Sequence, residues 1–167
     1  MKRVSFSNWW ALGVIVGCVI LALLLLYADN ILNSPQVSGD QQSVRYVIDG
    51  DTVQLSNGLR VRLLGVNTPE ISKHDCYAEE AKDFLAKLVM GKVVVLQMDA
   101  KNEDKDKYQR LLRYIFLNGE NINEKIVMEG YGVYYRRFPI SLAEEFNEAE
   151  VAAKTQRKGL WGKCVKN

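Results

Sequence analysis

The sequence predicts an α+β domain, a small five-stranded β-barrel carrying about three helices, set behind one N-terminal transmembrane helix. Three observations predict it. Residues Trp9 to Tyr27 carry no charge, while the chain from Ser43 onward is polar and mixed. Runs of β-branched residues of strand length recur between turn signals, two of them joined through Ser56-Asn57-Gly58. Helical apolar spacing falls between and after the strands instead of alternating with each one, which is the order of an α+β chain.

The N-terminal segment reads Met1-Lys2-Arg3, then Trp9-Trp10, then an apolar run to Leu26 and Tyr27. Its 19 uncharged residues make about 28 Å of helix at ~1.5 Å per residue, enough to cross a hydrocarbon core. Trp9, Trp10 and Tyr27 bracket the run at interfacial positions. Lys2 and Arg3 precede it, and Asp29 and Asp40 follow, so the positive-inside rule puts residues 1–8 in the cytoplasm and everything after Tyr27 outside. Two other readings stay open. A cleaved signal peptide needs a shorter apolar core and small residues at the cut; Ile15-Val16-Gly17-Cys18 resembles a lipobox, with Cys18 as the lipidated residue. All three export the rest of the chain. Residues 28–42 contain Pro35 and Gly39 and no periodic apolar face, and read as a linker to a domain over 43–167.

Within that domain, Val44 to Leu55 is β-rich around the turn-prone Asp49-Gly50-Asp51, and Arg60 to Val66 is the next strand of a hairpin. Ala81, Phe84, Leu85, Leu88 and Val89 predict a helix over 79–90, closed by Gly91. Val93 to Met98 and Arg110 to Leu117 read as strands, Ile122 to Met128 as a short helix ending at Gly130, and Val133 to Arg136 as a short strand. Ser141 and Glu144 form a capping-box pattern opening a last helix to about Lys158. A partly closed five-stranded barrel of oligonucleotide-binding type fits this count.

The composition is that of an ordinary globular chain: 167 residues, 48% hydrophobic and 25% charged. The net charge is +2, and from Ser43 onward 20 basic residues face 18 acidic ones. No bulk basic field announces nucleic acid, so any phosphate binding must come from local clustering. Of three cysteines, Cys18 lies in the apolar run; Cys76 and Cys164 form an even pair that an exported domain would oxidise, the alternative being two free thiols.

Three clusters carry chemistry. Ile48-Asp49-Gly50-Asp51-Thr52 sets two carboxylates around a glycine, an oxygen-rich pattern suited to a hard cation, or a plain Asp-Gly turn. In Arg62-Leu63-Leu64-Gly65-Val66-Asn67-Thr68-Pro69-Glu70, Asn67 and the Thr68 carbonyl are oxygen donors suited to calcium, and Glu70 is placed to orient or deprotonate a water; the bland alternative is a strand ending in a proline turn. Strand alternation leaves open which face Arg62 takes. Asp106-Lys107-Tyr108-Gln109-Arg110 pairs bases with an aromatic, as a phosphate and a nucleobase require, or is a solvated charged loop. The lone histidine, His74, reads as a surface residue.

Taken in order, Ile-Asp-Gly-Asp-Thr, Arg-Leu-Leu-Gly-Val-x-Thr-Pro-Glu, Asp-Lys-Tyr-x-Arg and a final Gly-Leu-Trp resemble the staphylococcal nuclease (thermonuclease) family, over about Val44 to Gly162. The resemblance implies a monomeric nuclease that uses one Ca²⁺ to cleave DNA and RNA. It implies Asp51, Asn67 and Thr68 as the metal ligands, Arg62, Glu70 and Arg110 as the catalytic residues, and Lys107 and Tyr108 as nucleic-acid contacts. Cys76 pairing with Cys164 is similar to the build of exported relatives. The sequence departs from the family where Asn67 replaces the usual Asp, which removes a charge from the ligand set, and where Gln109 replaces a Gly. A non-catalytic nucleic-acid-binding module on the same barrel is the alternative reading.

Overall fold

In the computed structural model the described residues are 9–32 and 39–164. The chain divides into two compact units, residues 1–36 and 37–167. In the first, α1 spans Trp9–Leu32. Its described side chains are those of 13–26, and the large apolar ones among them, from Val14 to Leu26, are more than half exposed. That stretch is shorter than the ~20 apolar residues of a span, and among the described residues no helix is long and apolar enough to cross a membrane. The span expected over 9–27 extends past the described side chains, and the cytoplasmic segment 1–8 lies outside the described residues. The segment 28–42, expected as a linker, is structured at both ends: α1 continues to Leu32 and the first strand starts at Asp40.

The second unit is built on β1 (Asp40–Asp49), β2 (Thr52–Leu55), β3 (Arg60–Leu63), β5 (Val93–Gln97) and β6 (Leu111–Leu117), with a two-residue β4 (Val66–Asn67) after β3. The strand order is β3-β2-β1-β5-β6, and β6 returns to pair with β3, so the five strands close into a barrel. Every neighbour pair is antiparallel except the closing one, where Val61, Arg62 and Leu63 run parallel to Leu111, Leu112 and Arg113. The expected hairpin is β2–β3, with Val53 opposite Val61 and Gly58 at φ 87° in the turn. The long first strand anticipated over Val44 to Leu55 is two strands, folded back at Gly50-Asp51.

Strand alternation, with an irregularity in β1 between Val44 and Tyr46 that lets both Val44 and Val47 face inward, turns Val44, Val47, Val53, Leu55, Val61, Leu63 and Ile115 into one core, each no more than 1% exposed. α2 (Ala78–Val89) packs Leu85 and Val89 onto this core, and α3 (Ile122–Met128) packs Ile126 between β6 and α4 (Ala143–Thr155), whose Phe146 is fully buried. The parallel seam needs support, because a one-strand closure leaves backbone groups unpaired. Asn123 of α3 supplies it: its Oδ1 accepts from the Ile115 N–H at 3.0 Å, and its Nδ2 donates to the Leu64 and Arg113 carbonyls at 2.9 and 3.0 Å.

Two further elements differ from the reading of the sequence. Ser141 does not cap α4. The cap position is Leu142, without a side-chain bond, because the Ser141 hydroxyl and N–H both donate to the buried Asp99 carboxylate at 2.8 and 2.6 Å. A buried charge that already lacks water outbids a local cap. The strand expected to Arg136 ends at Tyr134, as β8 (Val133–Tyr134). It pairs with β4, Asn67 opposite Val133. β7 (Glu120–Asn121) and the short α5 (Leu160–Lys163) complete the unit.

Candidate active site

Glycine brings the first two motifs together. A Cβ on Gly50 would lie 2.8 Å from the Ala81 Cβ and from both branches of the Thr68 side chain, so only a glycine lets the Asp49–Asp51 turn settle against the Thr68 turn. Asp51 is thereby enclosed, 7% exposed. Its Oδ2 accepts from the Thr68 N–H at 3.1 Å and the Thr68 hydroxyl at 3.3 Å, and pairs with Arg62 Nη2 at 2.9 Å. Its Oδ1 accepts from the Thr52 hydroxyl at 3.0 Å. Burial pushes its pKa up to about 6 against the opposing pull of Arg62, and the neighbouring Asp49 carboxylate adds to the rise. A desolvated carboxylate of this kind is stabilised by any further positive charge delivered to it.

Strand β3 settles the face that Arg62 takes. Val61 and Leu63 point into the core, so Arg62 between them points out of it. Its guanidinium also donates to the Leu63 carbonyl at 2.6 Å and lies 5.9 Å from the Tyr135 ring centroid. The parallel seam then carries Arg110, one residue ahead of β6, to the same side. Arg110 Nε and Nη2 contact Asp106 at 2.8 and 2.7 Å, and its Nη1 reaches the Thr52 hydroxyl at 3.5 Å. Thr52, which pairs with Arg62 across β2–β3, thus links the Asp51–Arg62 pair to Arg110. Burial alone would raise the pKa of Asp106, but hydrogen bonds from Arg110 and Tyr108 hold it below the ordinary value, so it stays an anion that orients the guanidinium. Two guanidinium groups with ten N–H bonds between them make only five contacts here, which leaves donors for a phosphate.

Both arginines line one cleft of about 710 Å³, together with Lys107, Tyr108, Tyr135 and Phe138. Tyr108 is 67% exposed and carries Lys107 and Arg110 over its ring, 4.9 and 5.4 Å from the centroid. Its loop turns at Gln109, which takes φ 63° where a glycine would be at ease. Glu70 is exposed, at the start of a 3₁₀ turn over Ile71–Lys73. Among the described residues its carboxylate has no hydrogen bond or ion pair, and its backbone N–H is held by Asp75 at 3.0 Å. His74 ends the turn and is exposed, as expected. Cys76, just beyond, forms a disulfide with Cys164 across 88 residues, with the two Cα atoms 5.9 Å apart.

Among the described residues no group of three or more His, Cys, Asp and Glu side chains is arranged to hold a metal. The hard oxygen donors nearest in the chain to the partners of the Asp51 carboxylate are those of Asn67 and Thr68, on the segment whose Thr68 N–H and hydroxyl donate to Asp51. That chemistry fits calcium, which takes carbonyl and amide oxygens beside carboxylates and completes its shell with water. Tyr134 and Tyr135 sit in the segment read as a short strand, where tyrosines mostly fill cores. Tyr134 does pack on Phe146, 5.8 Å between centroids, while Tyr135 lines the cleft, and the adjoining Arg137 and Phe138 carry no motif that would have flagged them.

A closed five-stranded barrel with helices, presenting two arginines at one open cleft with a buried carboxylate paired to one of them, defines an oligonucleotide-binding-type fold. The family described as staphylococcal nuclease homologue matches residues 60–163, and the chain belongs to that family. It is similar to an uncharacterized protein of Methanocaldococcus jannaschii, 38% identical over 143 residues, 69% of this chain and 68% of that one. It is also similar to the thermonucleases of Staphylococcus intermedius, at 35% over 139 residues with 78% and 80% covered, and of Staphylococcus hyicus, at 28% over 159 residues with 89% and 93% covered.

Proposed function

We propose that this protein is a calcium-dependent nuclease that hydrolyses phosphodiester bonds of DNA and RNA outside the cytoplasm. The observation that carries the reading is the convergence of Arg62 and Arg110 on one cleft, each already oriented by a carboxylate and joined through Thr52. Membership of the staphylococcal nuclease homologue family and likeness to proteins named thermonuclease support it. Arg62 and Arg110 bind the non-bridging oxygens of the scissile phosphate and donate more strongly as negative charge builds on them. Glu70 accepts a proton from the water whose oxygen attacks phosphorus in line, the bond from phosphorus to the leaving sugar oxygen breaks, and that oxygen takes a proton from solvent to leave as a hydroxyl. Calcium held by Asp51, Asn67 and Thr68 would supply charge neutralisation at the phosphate. Lys107 and Tyr108 hold the flanking phosphate and base.

The uncharged run Trp9–Tyr27 with Lys2 and Arg3 ahead of it supports a single-pass anchor with the catalytic unit outside. The Cys76–Cys164 disulfide supports an oxidising compartment. Protease added to intact cells should digest the unit over 37–167; protection would sink this placement.

The test of the activity is hydrolysis of single-stranded DNA by the full chain, with and without Ca²⁺, beside Glu70→Gln. Cleavage that needs calcium and falls about 10²–10⁴-fold in the variant is expected. Calcium-independent cleavage, or an unimpaired variant, refutes the assignment. Asn67 in place of a carboxylate favours a second reading, a binding module without turnover; a folded protein that binds the DNA at millimolar calcium and leaves it uncut would establish that one.

A further inference from the structure

Resting on the nuclease reading, we infer that the Cys76–Cys164 disulfide is a redox switch on Glu70: oxidised, it holds the loop that carries this base in its working position, and reduced, it releases the loop and lowers turnover while sparing the arginine cleft. Glu70 opens a segment that the core does not hold. Thr68 and Ala78 on either side are buried, but none of Pro69 to Tyr77 is, and Ser72 to Cys76 are all exposed. Among the described residues the hydrogen bonds of Glu70 to Asp75 stay inside the segment and its junction with α2. The Glu70 N–H donates to the Asp75 carboxylate at 3.0 Å, the Lys73 and Asp75 N–H groups donate to the Glu70 carbonyl at 3.2 Å each, and the His74 N–H donates to the Ile71 carbonyl at 2.9 Å. His74 at φ 55° and Tyr77 at φ 72° take the left-handed conformation that bulky side chains disfavour. The turn is therefore held where it is, not resting there by preference.

The disulfide is the covalent link from this segment to the rest of the unit. Its other end is seated. The Cys164 N–H donates to the Leu160 carbonyl and the Leu160 N–H to the Gly130 carbonyl, both at 2.9 Å. Gly159 and Gly130 approach so closely that a Cβ on Gly159 would lie 2.2 Å from the Gly130 oxygen. The bond thus ties a loop with no core of its own to a helix fitted against the turn between α3 and β8. Cys76 is exposed, open to a small dithiol. One thiolate of that reductant attacks a sulfur of the bridge, its second thiol then closes the reductant's own disulfide, and Cys76 and Cys164 are left as thiols, two electrons and two protons having passed to the protein. Arg62 and Arg110 are held by Asp51, Asp106 and the β3–β6 seam, bonds that do not involve the bridge. Reduction therefore displaces the base and spares the phosphate site. A misplacement of about 1 Å at a reacting group costs about 10²-fold in rate. In a compartment that keeps thiols reduced the nuclease is held nearly idle, and export to an oxidising one arms it.

The test uses the full chain with calcium and single-stranded DNA, oxidised, reduced with dithiothreitol and re-oxidised, in wild type, Glu70→Gln and Cys76→Ser. Reduction of wild type should lower kcat about 10²-fold with KM little changed, and re-oxidation should restore it. Cys76→Ser should sit at the reduced level with or without dithiothreitol. In Glu70→Gln, reduction should change kcat by less than about twofold, because the group through which the bridge acts is already gone. Near-UV circular dichroism, and the affinity for a labelled oligonucleotide in chelator, should be the same in both redox states. A wild-type kcat indifferent to reduction, or a Cys76→Ser variant as fast as oxidised wild type, overturns the switch and leaves the nuclease reading standing. A loss on reduction as large in Glu70→Gln as in wild type also overturns it, since the bridge would then act on the whole unit and not on the base. So does a reduced protein that has lost its near-UV signal or its oligonucleotide affinity. An oxidised wild type that cuts nothing sinks the nuclease reading, and the switch with it.

Discussion

Removing the Cys76–Cys164 crosslink is the perturbation whose size follows most directly from the structure. The two residues are 88 apart in sequence, and closing a loop of that length removes about 15 cal/mol/K of chain entropy from the unfolded ensemble, or about 4.6 kcal/mol at 25 °C. With a urea slope of about 2 kcal/mol/M, the unfolding midpoint should fall by about 2 M in Cys76→Ala/Cys164→Ala. Near-UV circular dichroism in urea is the assay, because it follows tertiary packing and not the separate helix α1. Treating wild type with dithiothreitol should reproduce the double variant. Cys18, which is free, should be silent, so Cys18→Ser serves as the control. The same bond ties the segment after Glu70 to the end of the chain, so hydrogen exchange over 70–77 should quicken as well. A midpoint shift below about 0.5 M with an unchanged slope would refute the entropic argument, since a retained slope excludes a compensating change in the unfolded state.

Arg62→Lys and Arg110→Lys should each lower kcat on DNA by about 10²-fold or more with modest change in KM, since an ammonium cannot make the paired donation a guanidinium makes; steady-state kinetics with near-native kcat in either would refute it. Asn67→Asp should tighten calcium binding by about tenfold, read by titration calorimetry, because it adds a carboxylate to a set with one. Asp99 supplies a pH dependence. Burial alone would raise its pKa, but hydrogen bonds from Ser141, Tyr114 and Lys101 hold it below the ordinary value. A lowered folded pKa contributes stability that is present above the unfolded value of about 3.9 and is lost as pH falls through the folded one. Asp99→Asn should therefore cost about 1–3 kcal/mol at pH 7 and show a shallower loss of stability below about pH 4 than wild type; parallel pH profiles in urea would contradict this.

Much of the barrel was legible because its signals are local. Asn57-Gly58 encodes its own turn, and β-branched runs encode strands whatever they pair with. Ile122 to Met128 came out as α3 to the residue, its N-terminus capped by Asn121, which accepts from the Asn123 and Glu124 N–H groups. Ser141 misled for a physical reason. The capping box is a local bond, and Asp99, 42 residues away, competes for the same hydroxyl with a buried charge. The order of the motifs conveyed the site's membership, yet nothing in the order says that Thr52 bridges Asp51 and Arg110.

By itself the sequence determined the apolar N-terminal run, the strand and helix segments, and which carboxylates, guanidinium groups and cysteines were available for chemistry. These depend on side-chain type and spacing within a few residues. Only the tertiary structure decided that β3 closes in parallel on β6, that Arg62 therefore faces Arg110 across one cleft, that Gly50 lets Thr68 enclose Asp51, and that Phe138 stands exposed beside that cleft. Each of these joins residues from 17 to 50 positions apart or sets an exposure, and both depend on which distant surfaces the folding chain buries together.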